Sequence, residues 1–96
     1  MAYAVVATFE FDGAAYTTEL IGIYERQTSA FDALEDYDFM KVFNRVMTGN
    51  LTPGYVAKSF GCEASCDAWY SEQHYIESDG KKGGSVTFWI FERLVE

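Results

Sequence analysis

The chain has a single proline, a single histidine and two cysteines in 96 residues, and no apolar run long enough to span a bilayer. Each shortage excludes something. A membrane-spanning helix needs about 20 consecutive apolar residues. Small disulfide scaffolds and zinc modules need more cysteine and histidine than this chain carries. The opening Met1-Ala2-Tyr3-Ala4-Val5-Val6 lacks the basic start, apolar middle and cleavage site of a signal peptide, so it reads as a first strand. A cytoplasmic location with both thiols reduced is therefore the expectation.

Cations are scarce in one part of the chain. Up to Met40 there are eight acidic residues and one base, Arg26, whereas seven acids and six bases follow from Lys41 onward. Nearly all of the net charge of −8 belongs to the N-terminal part. Direct binding of nucleic acid, or of an anionic membrane, needs a cationic surface and is not expected. A partner with a basic surface is compatible with this balance. Acids also keep a domain soluble, and this one is rich in aromatics, with eight Phe, seven Tyr and two Trp. Aromatics in that number give a single domain, residues 1–96, a core without metal or disulfide. They also leave some rings over for the surface, where a partner or a second copy would meet them.

Two hairpins frame the chain. Tyr3, Val5, Ala7, Phe9 and Phe11 alternate onto one face, Asp12-Gly13 is a strong turn signal, and Ala14 to Tyr24 reads as the return strand. A two-residue turn predicts Phe9 opposite Tyr16, Ala7 opposite Thr18 and Val5 opposite Leu20. The second hairpin runs from Ala68 to Ser78, through the glycine-rich turn Asp79–Gly84, into a strand from Ser85 to Val95. Val86, Phe88 and Ile90 alternate there with Thr87, Trp89 and Phe91, so both faces are bulky and the strand is expected to be central.

Between the hairpins, Thr28 or Ser29 suits a helix N-cap, Asp32 suits the first turn and Gly49 suits a stop. One straight helix fails. Its Phe31–Leu34 arc and its Phe39-Val42-Phe43-Val46 arc differ by about 100°, which would turn Asp32, Glu35 and Asp36 inward at great cost. A break near Asp36–Asp38 resolves the conflict, giving a short helix and then a longer one from about Tyr37 to Thr48. Thr52-Pro53 reads as the start of a further short helix reaching Phe60, stopped at Gly61. The expected fold is α+β: a four-stranded antiparallel sheet from two β-hairpins, with two or three short helices packed on one face, in the order ββααββ.

The acidic run is the leading candidate site. Glu25, Asp32, Glu35, Asp36 and Asp38, with Tyr37 among them, form a partner-binding surface rimmed by Tyr24, Tyr37 and Phe39. The plainer reading is a solvated helix face. A calcium loop does not fit, because Asp32, Asp36 and Asp38 lack the glycine and terminal glutamate of an EF-hand. Cys62, Cys66 and His74 read C-x3-C-x7-H, one close pair short of the usual zinc pattern, with only Glu63, Asp67 or water to complete it. A thiol–imidazole pair from these residues lacks an orienting group and an oxyanion site. His74 otherwise fills an ordinary strand position. The Gly80–Ser85 segment joins two strands and is not a phosphate loop. No catalytic centre, cofactor or metal is expected.

At the level of type, the chain resembles the small acidic single-domain proteins with which phages block host defence or host polymerases, anti-CRISPR proteins among them. The likeness rests on size, on the net charge of −8 and on the run Phe31-Asp32-Ala33-Leu34-Glu35-Asp36-Tyr37-Asp38. It implies a non-enzymatic viral inhibitor in the host cytoplasm, binding a nucleic-acid-binding complex as a DNA mimic or by occlusion. It assigns no role to any single residue. Two alternatives stand beside it. One is an interaction module or homodimer using exposed aromatics or an edge strand. The other is a small metal or thiol protein built on Cys62, Cys66 and His74.

Overall fold

The computed structural model describes residues 2–11, 16–46, 51–60, 68–78 and 81–93. Five strands and two helical segments follow in the order β1 (Ala2–Phe11), β2 (Tyr16–Tyr24), α1 (Gln27–Asp36), α2 (Met40–Val46), β3 (Leu51–Phe60), β4 (Ala68–Ser78) and β5 (Lys81–Arg93). The strands form one sheet in the order β2-β1-β5-β4-β3, antiparallel throughout. The α+β class and the two antiparallel hairpins match the sequence. The expected ββααββ order with two or three helices does not: the helical residues form one bent stretch, and a fifth strand, β3, stands where a third short helix was expected. Pro53 is tolerated there because β3 is an edge strand, the kind of strand to which sheets confine proline.

Alternation builds β1 as read: Val5, Ala7, Phe9 and Phe11 are buried. Both faces of β5 are bulky, and it occupies the middle of the sheet between β1 and β4. The first hairpin pairs in a different register. Phe9 faces Thr17, Ala7 faces Glu19 and Val6 faces Leu20, one residue from the two-residue-turn expectation. A bulge at Ile21 then resets the phase, so that Val5 meets Gly22, Ala4 meets Ile23 and Tyr3 meets Tyr24. A slip of one residue exchanges the two faces of a strand. Thr17 and Glu19 therefore face the helices, and Leu20 faces away. In the second hairpin Ser78 pairs with Lys81, so most of the glycine-rich segment expected as a turn is already strand. The Asp12-Gly13 turn, the Gly49 stop and the two cysteines lie outside the described residues.

The helical layer is one bent stretch in two segments. The helix starts at Gln27, earlier than Thr28 or Ser29 as caps would place it. Arg26 is its N-cap, with no side-chain cap bond, and Asp32 falls beyond the first turn. Ala30 and Leu34 bury the inner face of α1. Tyr37 is extended at φ −75° and ψ 122°, which ends α1 and re-aims the chain, and Lys41 N–H donates to the Asp38 carbonyl at 3.3 Å as α2 begins. The break lies where the two apolar arcs demanded one. α1 has ten residues and α2 is described over Met40–Val46, the expected continuation to Thr48 lying outside the described residues. Among the described residues, no helix is long and apolar enough to cross a membrane.

Phe43 anchors α2. Its buried ring meets Phe9 and Phe11 edge to face, with centroids 5.5 and 5.3 Å apart. It can come so close because β5 has Gly84 beneath it. A Cβ at Gly84 would lie 2.6 Å from the Glu10 carbonyl oxygen and 2.9 Å from the Phe43 ring. The backbone oxygen cannot swing aside. Gly84→Ala is expected to lower unfolding free energy by about 1–3 kcal/mol through overpacking, and Phe43→Ala by about 3–5 kcal/mol through the cavity it leaves. Urea titration followed by circular dichroism measures both.

Candidate functional site

The bend between α1 and α2 roofs a pocket. Leu34, Glu35, Tyr37 and Phe39 supply the roof, and Glu72, His74 and Phe88 supply the sheet-side floor, around a cavity of about 210 Å³. The floor follows from strand alternation. Tyr70, Glu72, His74 and Ile76 lie on the helix-facing side of β4, in line with Ile90, Phe88, Val86 and Gly84 of β5. Polar residues thus stand on an otherwise apolar face, and they bond to one another. The Tyr70 hydroxyl donates to one Glu72 oxygen, and His74 Nε2 lies 2.7 Å from the other. An ionised carboxylate only accepts, so Nε2 carries the proton in that contact. Glu72 therefore orients both neighbours. The His74 ring is further packed by Phe39, centroid to centroid 5.3 Å, and by Phe88 at 5.9 Å.

A second carboxylate fixes the roof. Glu19 on β2 accepts a hydrogen bond from the Tyr37 hydroxyl, and its other oxygen lies 3.5 Å from Arg45 on α2. Glu19 reaches both because the hairpin register turns it toward the helices. Burial, then the hydrogen bond to Glu19 and its charge, push the Tyr37 phenol well above its ordinary value. The Tyr37 ring also packs edge to face on Phe88 at 6.1 Å.

The acids expected to form a partner-binding surface lie on α1, beside its start and in the bend. Glu25, Asp32, Glu35, Asp36 and Asp38 are all exposed. Among the described residues, none of these five carboxylates has an ion-pair partner. Glu35 both belongs to this surface and lines the pocket. The aromatic rim is a different matter. Tyr24, Tyr37 and Phe39 pack against the core, so the rings serve as walls beneath the acids. Glu19 and Glu72 were not singled out from the sequence. Glu72 carried a signal all the same, because spacing by two from Tyr70, His74 and Ile76 put it on their face.

His74 sits on a strand with Glu72 as neighbour. The described residues contain no group of three or more His, Cys, Asp or Glu placed to hold a metal ion.

The elevated Tyr37 phenol makes a stability test. Its folded value lies above the unfolded one, so the stability gained by keeping it protonated is complete below the ordinary tyrosine value of 10.0 and is lost as pH rises beyond it. Tyr37→Phe is expected to be less stable than the parent at neutral pH, with the gap narrowing in alkaline buffer. Thermal melts of both proteins at pH 7 to 11 check this, and a constant gap would show that Tyr37 is not coupled in this way. No protein-family model matches the chain, and no curated protein or solved structure is significantly similar to it.

Proposed function

We propose that the chain is a non-enzymatic binding protein that docks its acid-bearing helical layer onto a basic protein surface, in the manner of an inhibitor directed at a nucleic-acid-binding complex. The observation that carries this reading is the pocket under the helix bend. Its walls are the rings of Tyr37, Phe39, His74 and Phe88, and its polar groups include the carboxylates of Glu35 and Glu72. Aromatic faces and carboxylates together suit a cation, which gains from ring quadrupole and charge alike. A volume of about 210 Å³ is below the roughly 300–1,000 Å³ of pockets for drug-sized ligands. One lysine or arginine side chain of a partner fits that scale.

The exposed acids beside the pocket supply the long-range part. Exposed carboxylates on one layer attract a cationic surface, speed encounter and suppress anionic competitors. The pocket then supplies the short-range part, since one well-seated side chain carries a large share of binding energy at an interface. A nucleic-acid-binding protein has the matching groove, lined with arginine and lysine for phosphate.

Two measurements test this. In NMR titration with acetyl-arginine amide and acetyl-lysine amide, resonances of His74, Phe39 and Glu35 are expected to shift in the parent and much less in Glu35→Gln. With a captured basic partner, reversing Asp32, Glu35, Asp36 and Asp38 to lysine is expected to weaken binding at least 100-fold, and raising salt is expected to weaken the parent steeply. Binding that survives both reversal and high salt overturns the electrostatic reading.

A further inference from the structure

Four rings line the pocket under the bend, and the angles between them bear on the shape of cation it takes. Phe88 is the buried floor. Tyr37, Phe39 and His74 stand at 86°, 70° and 80° to that ring, with centroids 6.1, 5.6 and 5.9 Å away. Phe39 and His74 are tilted 41° from each other. In none of these four contacts do two rings lie parallel. Leu34 adds a buried apolar wall, and Glu35 adds an exposed carboxylate.

Resting on the cation pocket proposed above, we infer that its preferred guest is a quaternary ammonium group, supplied by a trimethylated lysine side chain of the basic partner. The first ground is shape. A guanidinium is flat, and it gains most when it lies parallel to one ring while its N–H groups meet carboxylates in its own plane. Rings set at steep angles to one another favour a globular cation, which presents the same surface in every direction and meets several rings at once.

The second ground is hydrogen bonding. Arginine brings five N–H donors and unmodified lysine three. Each donor that leaves water for the pocket needs an acceptor, and a buried donor without one is costly. The polar side chains around the pocket already bond within the protein. One Glu72 oxygen accepts from the Tyr70 hydroxyl, and the other lies 2.7 Å from His74 Nε2. The Tyr37 hydroxyl donates to Glu19. These bonds use part of the hydrogen-bonding capacity of Glu72 and leave its negative charge in place. Among the described residues no buried side-chain nitrogen or oxygen lacks a partner, so no orphaned acceptor there awaits a guest N–H. A trimethylammonium group has no N–H. It takes charge and ring faces alone, whereas a bare ammonium is a compact, strongly hydrated ion that must shed its water first.

The third ground selects the source. Asp32, Asp36 and Asp38 are exposed on the same helix and bend as Glu35. They attract the unmodified basic neighbours of a methylated lysine in a protein. A choline headgroup brings no such neighbours.

The test is an NMR titration of the full chain with Nα-acetyl-lysine amide bearing zero, one, two or three Nε-methyl groups, followed at the His74 and Phe39 resonances. Affinity is expected to rise with each methyl, and the trimethyl form is expected to bind about tenfold tighter than the unmethylated one. The neutral analogue with carbon in place of the nitrogen is expected to bind about tenfold more weakly than the trimethyl form, which separates charge from apolar contact. Phe39→Leu keeps an apolar wall and removes its ring, and is expected to lose most of the gain from methylation with circular dichroism unchanged. The ligand series is read on the parent, so it decides the matter even if that variant fails to fold. Lysine and arginine amides that shift the pocket resonances without any gain from methylation overturn the inference and leave the basic-partner reading standing. If no cation of the series shifts them, the cation pocket falls as well. Equal affinity for the neutral analogue also overturns the inference, since apolar contact would then suffice. So does binding of phosphatidylcholine vesicles without a response to the trimethyl-lysine amide, which would assign the pocket to a lipid headgroup.

Discussion

The pairing of Val6 with Leu20 decides which side of β2 belongs to which half of the molecule. In that register Glu19 points at the helices, and there it ties down Tyr37 in the bend and Arg45 on α2. The bend has no proline or glycine to impose it. It holds because Tyr37 is extended, hydrogen-bonded and packed against Phe88, and because α2 restarts from the Asp38 and Phe39 carbonyls. The same register sends Leu20 to the face without helices. The roof of the pocket and the outward position of Leu20 are thus consequences of one alignment between two strands.

The strand β5 carries both faces through the middle of the sheet. Val86, Phe88 and Ile90 are buried beneath the helices, whereas Thr87, Trp89 and Phe91 line the other side. Phe88 connects core to site, since its ring touches Tyr37, Phe39 and His74. At the other end of the strand, the missing side chain of Gly84 admits Phe43, which fixes how close α2 can approach. Pocket depth and core packing are therefore set by neighbouring residues of one strand. Asp32, Glu35, Asp36 and Asp38 belong to the helical layer, whereas Leu20, Ile23, Trp89 and Phe91 lie on the other face of the sheet, with Arg93 over the Phe91 ring.

Much of this was legible in the residues. Alternation located β1, β4 and the two-sided β5, because a strand buried on one or both faces writes its period directly. The two apolar arcs of the helical region, rotated against one another, required the break, since three carboxylates could not be driven inward. The rest was hidden for definite reasons. The Asp12-Gly13 pair argued for a two-residue turn, yet the ladder closes one residue differently and is then interrupted at Ile21, an adjustment that costs little and leaves no mark in composition. Thr52-Pro53 is as compatible with an edge strand as with a helix start, and only the sheet's need for an outer partner to β4 separates the two. The pocket joins Glu35 to Glu72 and His74, residues far apart in the chain, through a bend whose direction no local pattern encodes.

The extra residue at Ile21 divides β2 into two stretches that alternate in opposite phase. Odd positions face the helices before it and even positions after it, as Glu19 and Tyr24 show. Any descendant or cousin of this sequence that keeps the fold must keep that change of step, even where every individual side chain has been replaced. Its signature in a divergent sequence would be a hydrophobic rhythm that reverses once, midway along the second strand.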